Sequence, residues 1–168
     1  MEVAKWGGAS GNRWRTTGDI KDTWTGMLDN IDPNDAYAQY VKPGGWNGSD
    51  DHVHPTRAGN MDYPDMLEVG NGGMTYDEYV VHFSLWAIAK APIIGCVVTS
   101  IPKETLGILE PRSQSEARSY RLGIQGKKVR KYGDDLEVWA GRLTRHRKAV
   151  LLLNRGGGAA RSAPVTAA

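Results

Sequence analysis

The apolar positions of this 168-residue chain change their period along its length. Ile20, Trp24, Met27, Leu28 and Ile31 fall on one face of a 3.6-residue helix. Asp19 or Asp22 can cap that helix, and Asp32-Pro33-Asn34 ends it. Just upstream, RWRTT (13–17) reads as a short strand, because two β-branched residues and Gly18 stand where a helix would have to propagate. Arg15 and Asp19 are spaced like a helical ion pair. The strand reading instead places them at a strand's carboxyl end, where α/β folds keep their chemistry. Trp46-Asn47, after the turn Pro43-Gly44-Gly45, reads as the end of a second strand. Residues 48–63 (GSDDHVHPTRAGNMDY) are polar and without period, an irregular loop of a length uncommon inside compact domains.

Residues 64–75 (PDMLEVGNGGMT) form a turn-rich connector. A strong helix follows over 76–90, with Thr75 as N-cap, Glu78 completing a capping box and Ala91-Pro92 as the stop. The continuous apolar run IIGCVVT (93–99) has the mark of a parallel strand buried on both faces. Ser100, Pro102 and Glu104 open another helix through Leu109, and 110–121 is polar and unpatterned. From Lys127 the period shortens: KKVRKY, DLEVWAGRL and KAVLLLN read as antiparallel strands, with Gly133-Asp134 as a turn. The last stretch, 156–168, is small-residue and reads as disordered. Three strand–helix units predict an α/β fold with a parallel sheet, either open or part of a barrel, followed by an antiparallel unit.

Composition narrows the function. A net charge of +2 is too small to point to nucleic acid. The basic residues of the C-terminal half (Lys127, Lys128, Arg130, Lys131, Arg142, Arg145, Arg147 and Lys148) read as a solvated face. Cys96 is the only cysteine, which leaves no internal disulfide. No apolar run approaches the roughly 18 residues of a membrane span, and the first residues lack the apolar core of a signal peptide. His52 and His54 beside Asp50 and Asp51 resemble a metal cluster, but without supporting ligand spacing they read better as a polar loop. No metal and no cofactor is implied. Six tryptophans against one phenylalanine fit either a sugar-binding cleft or a tryptophan-rich core.

WRTTGDI (14–20), PGGWN (43–47), PDMLEVGNGGMT (64–75), WAIAKAPIIG (86–95) and LGIQGKKVRKYGDDLEVWAGRL (122–143) together resemble the second half of a plant-type α-galactosidase, glycoside hydrolase family 27. The resemblance implies the last three units of a (β/α)8 barrel over 1–123. The start of a C-terminal antiparallel β-sandwich would follow over 124–155. It also implies a retaining hydrolase that removes terminal α-linked galactose. Two carboxyls roughly 5–5.5 Å apart do this chemistry, one as nucleophile and one as acid/base.

By resemblance Asp19 is the acid/base, Arg15 hydrogen-bonds the sugar near its 2-hydroxyl, and Asp65 and Met66 contact sugar hydroxyls. The family's nucleophile motif, of K-Y-D-N type, does not occur in the chain. An isolated chain is therefore expected to be inactive, because general acid catalysis alone contributes typically 10²–10⁴-fold. The chain departs from the family pattern at 48–63, which resembles translated non-coding sequence. It departs again at Val97, where aspartate is usual, and at 110–121, where an apolar connector is usual. Open parallel edges predict a marginal, aggregation-prone fold. The other readings are an α-N-acetylgalactosaminidase-like enzyme and a non-catalytic remnant that binds galactosides. Family members are commonly secreted, in the cell wall or vacuolar.

Overall fold

The computed structural model of the chain describes residues 3–10, 13–40, 61–91, 93, 101–110, 124–143 and 145–158. The strand expected over 93–99 lies outside these residues, Ile93 excepted. So do Trp46-Asn47, the histidine–aspartate group at 50–54, Cys96 and the polar stretch from residue 111 to 121.

Helix α1 (Val3–Ser10) leads into strand β1 (Arg13–Arg15), helix α2 (Trp24–Tyr37) and a short 3-10 turn (Ala38–Tyr40). Strand β2 (Met61–Tyr63), helix α3 (Tyr76–Ala89) and helix α4 (Lys103–Leu109) follow. Strands β3 (Lys127–Tyr132), β4 (Leu136–Arg142) and β5 (Lys148–Asn154) come last. β1 and β2 pair in parallel, Arg13 against Met61 and Arg15 against Tyr63. β3, β4 and β5 form an antiparallel sheet in that order, with a bulge between Lys128 and Arg130. The α/β expectation holds at this level: a β–α–β unit with parallel strands, then an antiparallel sheet.

Several boundaries differ from the sequence reading. Residues 1–11 are glycine-rich and weakly patterned in sequence, and 3–10 of them form α1. Gly7 lets α1 lie against Trp14, since a Cβ there would stand 2.9 Å from the indole. α2 starts later than its apolar face suggests: Thr23 is the N-cap, and its hydroxyl accepts from Gly26 N–H. Neither Asp19 nor Asp22 caps it. Asp22 instead accepts hydrogen bonds from Gly73 N–H at 2.6 Å and from the Tyr79 hydroxyl. Pro33 does not end α2, which continues to Tyr37. Contacts on either side of the proline hold it: Asn34 accepts from the Thr16 hydroxyl, Asp32 binds Lys128 and Arg155, and Asp35 accepts from Lys128 N–H. β2 falls inside the stretch read as irregular loop. Three residues suffice for a strand when a parallel neighbour supplies the hydrogen bonds.

α3 begins as its sequence dictates, with both halves of the Thr75–Glu78 capping box formed. It ends on Lys90 in a left-handed conformation with φ of 60°. Met27 and Ile31 of α2, Leu67 and Val69, Leu85, Trp86 and Ile88 of α3, Ile108 of α4, Trp139 of β4 and Leu153 of β5 share one buried cluster. The antiparallel sheet is thus packed on the same core as the helices. Gly126 donates to the Ile88 carbonyl, and a Cβ there would approach Ile88 to 2.5 Å.

The basic C-terminal half is not uniformly a solvated face. Lys128 Nζ contacts Asp32 and Glu137 at 2.9 Å each, and Arg155 contacts the same two carboxylates at 2.6 and 2.8 Å. Glu137 is buried in β4 and also accepts from Trp139 Nε1–H. Gly156, in the stretch read as disordered, donates to Asn154, whose side-chain amide donates to the Gly158 carbonyl.

Candidate active site

The parallel register sets Arg15 beside Tyr63, the last residues of β1 and β2. Beyond these ends the chain turns through Thr16–Ile20 on one side and through Pro64–Glu68 on the other. Arg15 reaches into both turns. One guanidinium nitrogen contacts Asp19 at 2.6 Å and the other contacts Asp65 at 3.2 Å. The hydrogen bond to Asp19, together with the field of Asp65, pushes Arg15 above its ordinary value, so the guanidinium stays charged.

The two carboxylates have opposite environments. The Asp19 side chain is 88% exposed, whereas that of Asp65 is 9% exposed. Asp65 Oδ2 also accepts from Ile20 N–H at 2.8 Å. Its main chain sits at φ of 102°, a region that non-glycine residues rarely occupy and that costs of order 1–3 kcal/mol. Its carbonyl accepts from Trp86 Nε1–H at 2.9 Å. Asp65 is therefore held at side chain and backbone, while Asp19 is open to solvent and joined to Arg15. Met66 is half-buried next to Asp65.

Around this cluster the two turns are tied together. Thr17 donates through its hydroxyl to the Pro64 carbonyl at 3.0 Å, and Asn30 Nδ2 donates to the same carbonyl at 2.8 Å and to Gly18 at 3.3 Å. His82 on α3 accepts from Glu68 N–H through Nε2 at 2.9 Å and meets Trp86 edge-on, with ring centroids 4.1 Å apart. Burial pushes the His82 imidazole down to about 3, so it is neutral and remains an acceptor. Asn71 in turn hydrogen-bonds Glu68, and Gly72 N–H donates to the Tyr79 hydroxyl at 2.6 Å.

The sequence reading missed Asn30, His82 and Trp86 as site supports. A signal was present for Asn30: Met27, Asn30, Ile31 and Asn34 are all buried at i, i+3, i+4 and i+7 of α2. Two asparagines on a buried helical face must find hydrogen-bond partners there. Among the described residues no group of three or more His, Cys, Asp or Glu could hold a metal ion. Nor, among them, is any helix long and apolar enough to cross a membrane.

The parallel β–α–β unit thus carries an arginine-bridged pair of carboxylates at its strand ends, where α/β folds place their sites. The match to known proteins is specific. Residues 7–113 match the family described as Alpha galactosidase A. The chain is 51% identical over 160 residues to Alpha-galactosidase 2 of Arabidopsis thaliana, covering 95% of this chain and 36% of that protein. Its fold superposes on a solved structure from Bacteroides fragilis described as an alpha-galactosidase/melibiase. The TM-score is 0.75 at 29% identity, over 94% of this chain and 34% of that one. It also superposes on α-galactosidase from Saccharomyces cerevisiae, solved with raffinose, at a TM-score of 0.70 and 23% identity, over 90% and 37% of the two chains. This chain belongs to the α-galactosidase family. It spans 36% of the length of the Arabidopsis relative and 33% of that from Oryza sativa subsp. japonica.

Proposed function

We propose that this chain carries the acid/base half of a retaining α-galactosidase site, with Asp19 as the acid/base. One observation carries the reading. Arg15 spans Asp19 and Asp65 at 2.6 and 3.2 Å at the ends of two paired strands, and Asp19 is neither buried nor engaged as a helix cap. Asp19 would protonate the departing glycosidic oxygen and then take a proton from the attacking water. Asp65, fixed by Ile20 N–H and Arg15, would accept hydrogen bonds from sugar hydroxyls, with Met66 beside it. Arg15 would donate to the sugar near its 2-hydroxyl.

The K-Y-D-N-type nucleophile motif does not occur in these 168 residues, so a complete site would need a carboxylate from another segment. The β1–α2–β2–α3 succession and α4 fit the last units of a (β/α)8 barrel over 1–123. β3–β5 fit the first strands of a sandwich domain over 124–155. The substrate class is terminal α-galactosides, the class to which raffinose, bound by the Saccharomyces enzyme, belongs.

The test is a graft of residues 13–40 into the matching stretch of the full-length Arabidopsis relative. Asp19→Asn in that graft is expected to abolish cleavage of raffinose-type substrates. It should cleave 4-nitrophenyl α-galactoside, whose leaving group needs little protonation, with azide accelerating turnover and yielding the α-galactosyl azide. Unchanged raffinose cleavage by the Asp19→Asn graft would end the reading.

A further inference from the structure

We infer that Asn30 is a positioning residue, which sets the separation of Asp19 and Asp65 by clamping the backbones that precede them. The inference rests on the acid/base reading of Asp19 and adds a residue that takes no part in the chemistry itself. Asn30 lies in the middle of α2 on its core-facing side and is buried. Its side-chain amide donates to two carbonyls. One belongs to Gly18, the residue before Asp19; the other belongs to Pro64, the residue before Asp65. One nitrogen thus joins the backbones of both turns, each one residue before its carboxylate. The Thr17 hydroxyl reinforces the same point by donating to the Pro64 carbonyl.

The clamp is built on a rigid base. Four residues further along α2, Asn34 is fully buried and accepts from the Thr16 hydroxyl. On either side of Asn34, Asp32 binds Lys128 and Arg155, and Asp35 binds Lys128, at the antiparallel sheet. A helix fastened in this way cannot slide to follow either turn. Asparagine has a helix propensity below that of most apolar residues, and packing alone would favour leucine at a buried position. A donor with two hydrogens is what two facing carbonyls require, and asparagine supplies both from one short side chain.

Without the amide, the Gly18 carbonyl loses its link to α2, the Pro64 carbonyl keeps only the Thr17 hydroxyl, and the two turns lose their shared tie. Arg15 would then hold Asp19 or Asp65, but not both. The reading predicts a local effect centred on Arg15 rather than a general loss of structure.

The experiment is NMR on the full chain, comparing the parent with Asn30→Leu. The probes are exchange of the Arg15 guanidinium protons and of the Ile20 amide proton, which is bonded to Asp65 from one turn to the other. Asn30→Leu is expected to speed both by about tenfold, with other protected amides unchanged. Should Asn30→Leu fail to fold, Asn30→Ala is read in the same way. Parental exchange at Arg15 and Ile20 in a folded variant would overturn the inference, as would exchange accelerated evenly across the whole chain. These readouts need no sugar cleavage. Failure of the acid/base reading, seen in the Asp19→Asn graft, would leave them untouched.

Discussion

The indole of Trp86 donates to the main-chain carbonyl of Asp65 at 2.9 Å, from the last turn of α3 to the turn after β2. Asp65 sits at φ of 102°, and three groups oppose its relaxation: Trp86 at its carbonyl, and Ile20 N–H and Arg15 at its carboxylate. Trp86→Phe removes the N–H donor and, since Trp86 is fully buried, also leaves a small cavity, so the loss should be at least that of the hydrogen bond. A lost buried hydrogen bond with an orphaned carbonyl costs about 1–3 kcal/mol. The midpoint of urea unfolding should fall accordingly. A Trp86→Phe chain as stable as the parent would show that the bond does not hold the strained turn.

His82 makes stability depend on pH. Its folded form stays neutral down to about pH 3, whereas the unfolded imidazole takes a proton near its ordinary 6.5. Between those values the unfolded chain binds more protons, so stability falls as pH falls. The slope is about 1.4 kcal/mol per pH unit within that window. Asp32 adds to the acid limb. Burial pushes it up, but its hydrogen bonds to Arg155 and Lys128 outweigh that and the net shift is downward. Its contribution is therefore lost only below its ordinary 3.8. His82→Gln retains an acceptor for Glu68 N–H and should flatten the slope between pH 6.5 and pH 4, measured by urea titrations across that range. An unchanged slope would locate the acid sensitivity elsewhere.

The charged group joining α2 to the antiparallel sheet separates buried from exposed ion pairs. The Glu137 side chain is 1% exposed and faces both Lys128 and Arg155. Replacing it with leucine leaves two largely buried cations sharing Asp32 alone. The expected cost is about 3 kcal/mol, the lower end for breaking a buried pair. Lys131 and Asp134 are 4.0 Å apart on the surface, and Lys131→Ala should cost well under 1 kcal/mol. Thermal unfolding of the two variants side by side gives the comparison. Equal losses would contradict the burial argument.

The hairpin between β4 and β5 carries strain at Arg145 and His146, both with φ of 59°. Leu143 N–H donates to the Arg147 carbonyl across the turn. At φ near 60° asparagine and glycine are less strained than arginine and histidine. Arg145→Asn with His146→Gly should raise stability by about 0.5–1 kcal/mol, read as a higher melting temperature. A lower one would mean that these side chains stabilise the hairpin in ways its backbone does not reveal.

Much of the fold was legible where neighbours in sequence supply the energy. Thr75 and Glu78 satisfy the first amides of α3 from within one turn. The alternation in β3, β4 and β5 and the Gly133 turn follow from a period of two and a residue that tolerates φ of 59°. Arg15, Asp19, Asp65 and Met66 were singled out by resemblance to a family pattern, and the reach of Arg15 to two carboxylates could not be read from spacing. Asp22 looked like a cap because aspartate near a helix start usually is one. Its actual partners, Gly73 and Tyr79, lie more than fifty residues away in sequence.

The sequence by itself determined membership of the α-galactosidase family, the capped start of α3 and the three antiparallel strands. Each depends on local pattern or on words of sequence that survive whole. The tertiary structure alone decided that α2 runs through Pro33, that three polar-stretch residues become β2, and that Lys128 is a half-buried charge held between two carboxylates. In each case the stabilising partner comes from a distant segment: the sheet for Asp32 and Asp35, β1 for β2, and Glu137 for Lys128. A propensity is worth a few tenths of a kcal/mol per residue. A buried hydrogen bond or ion pair formed across the fold outweighs it, and no local window of sequence contains both partners.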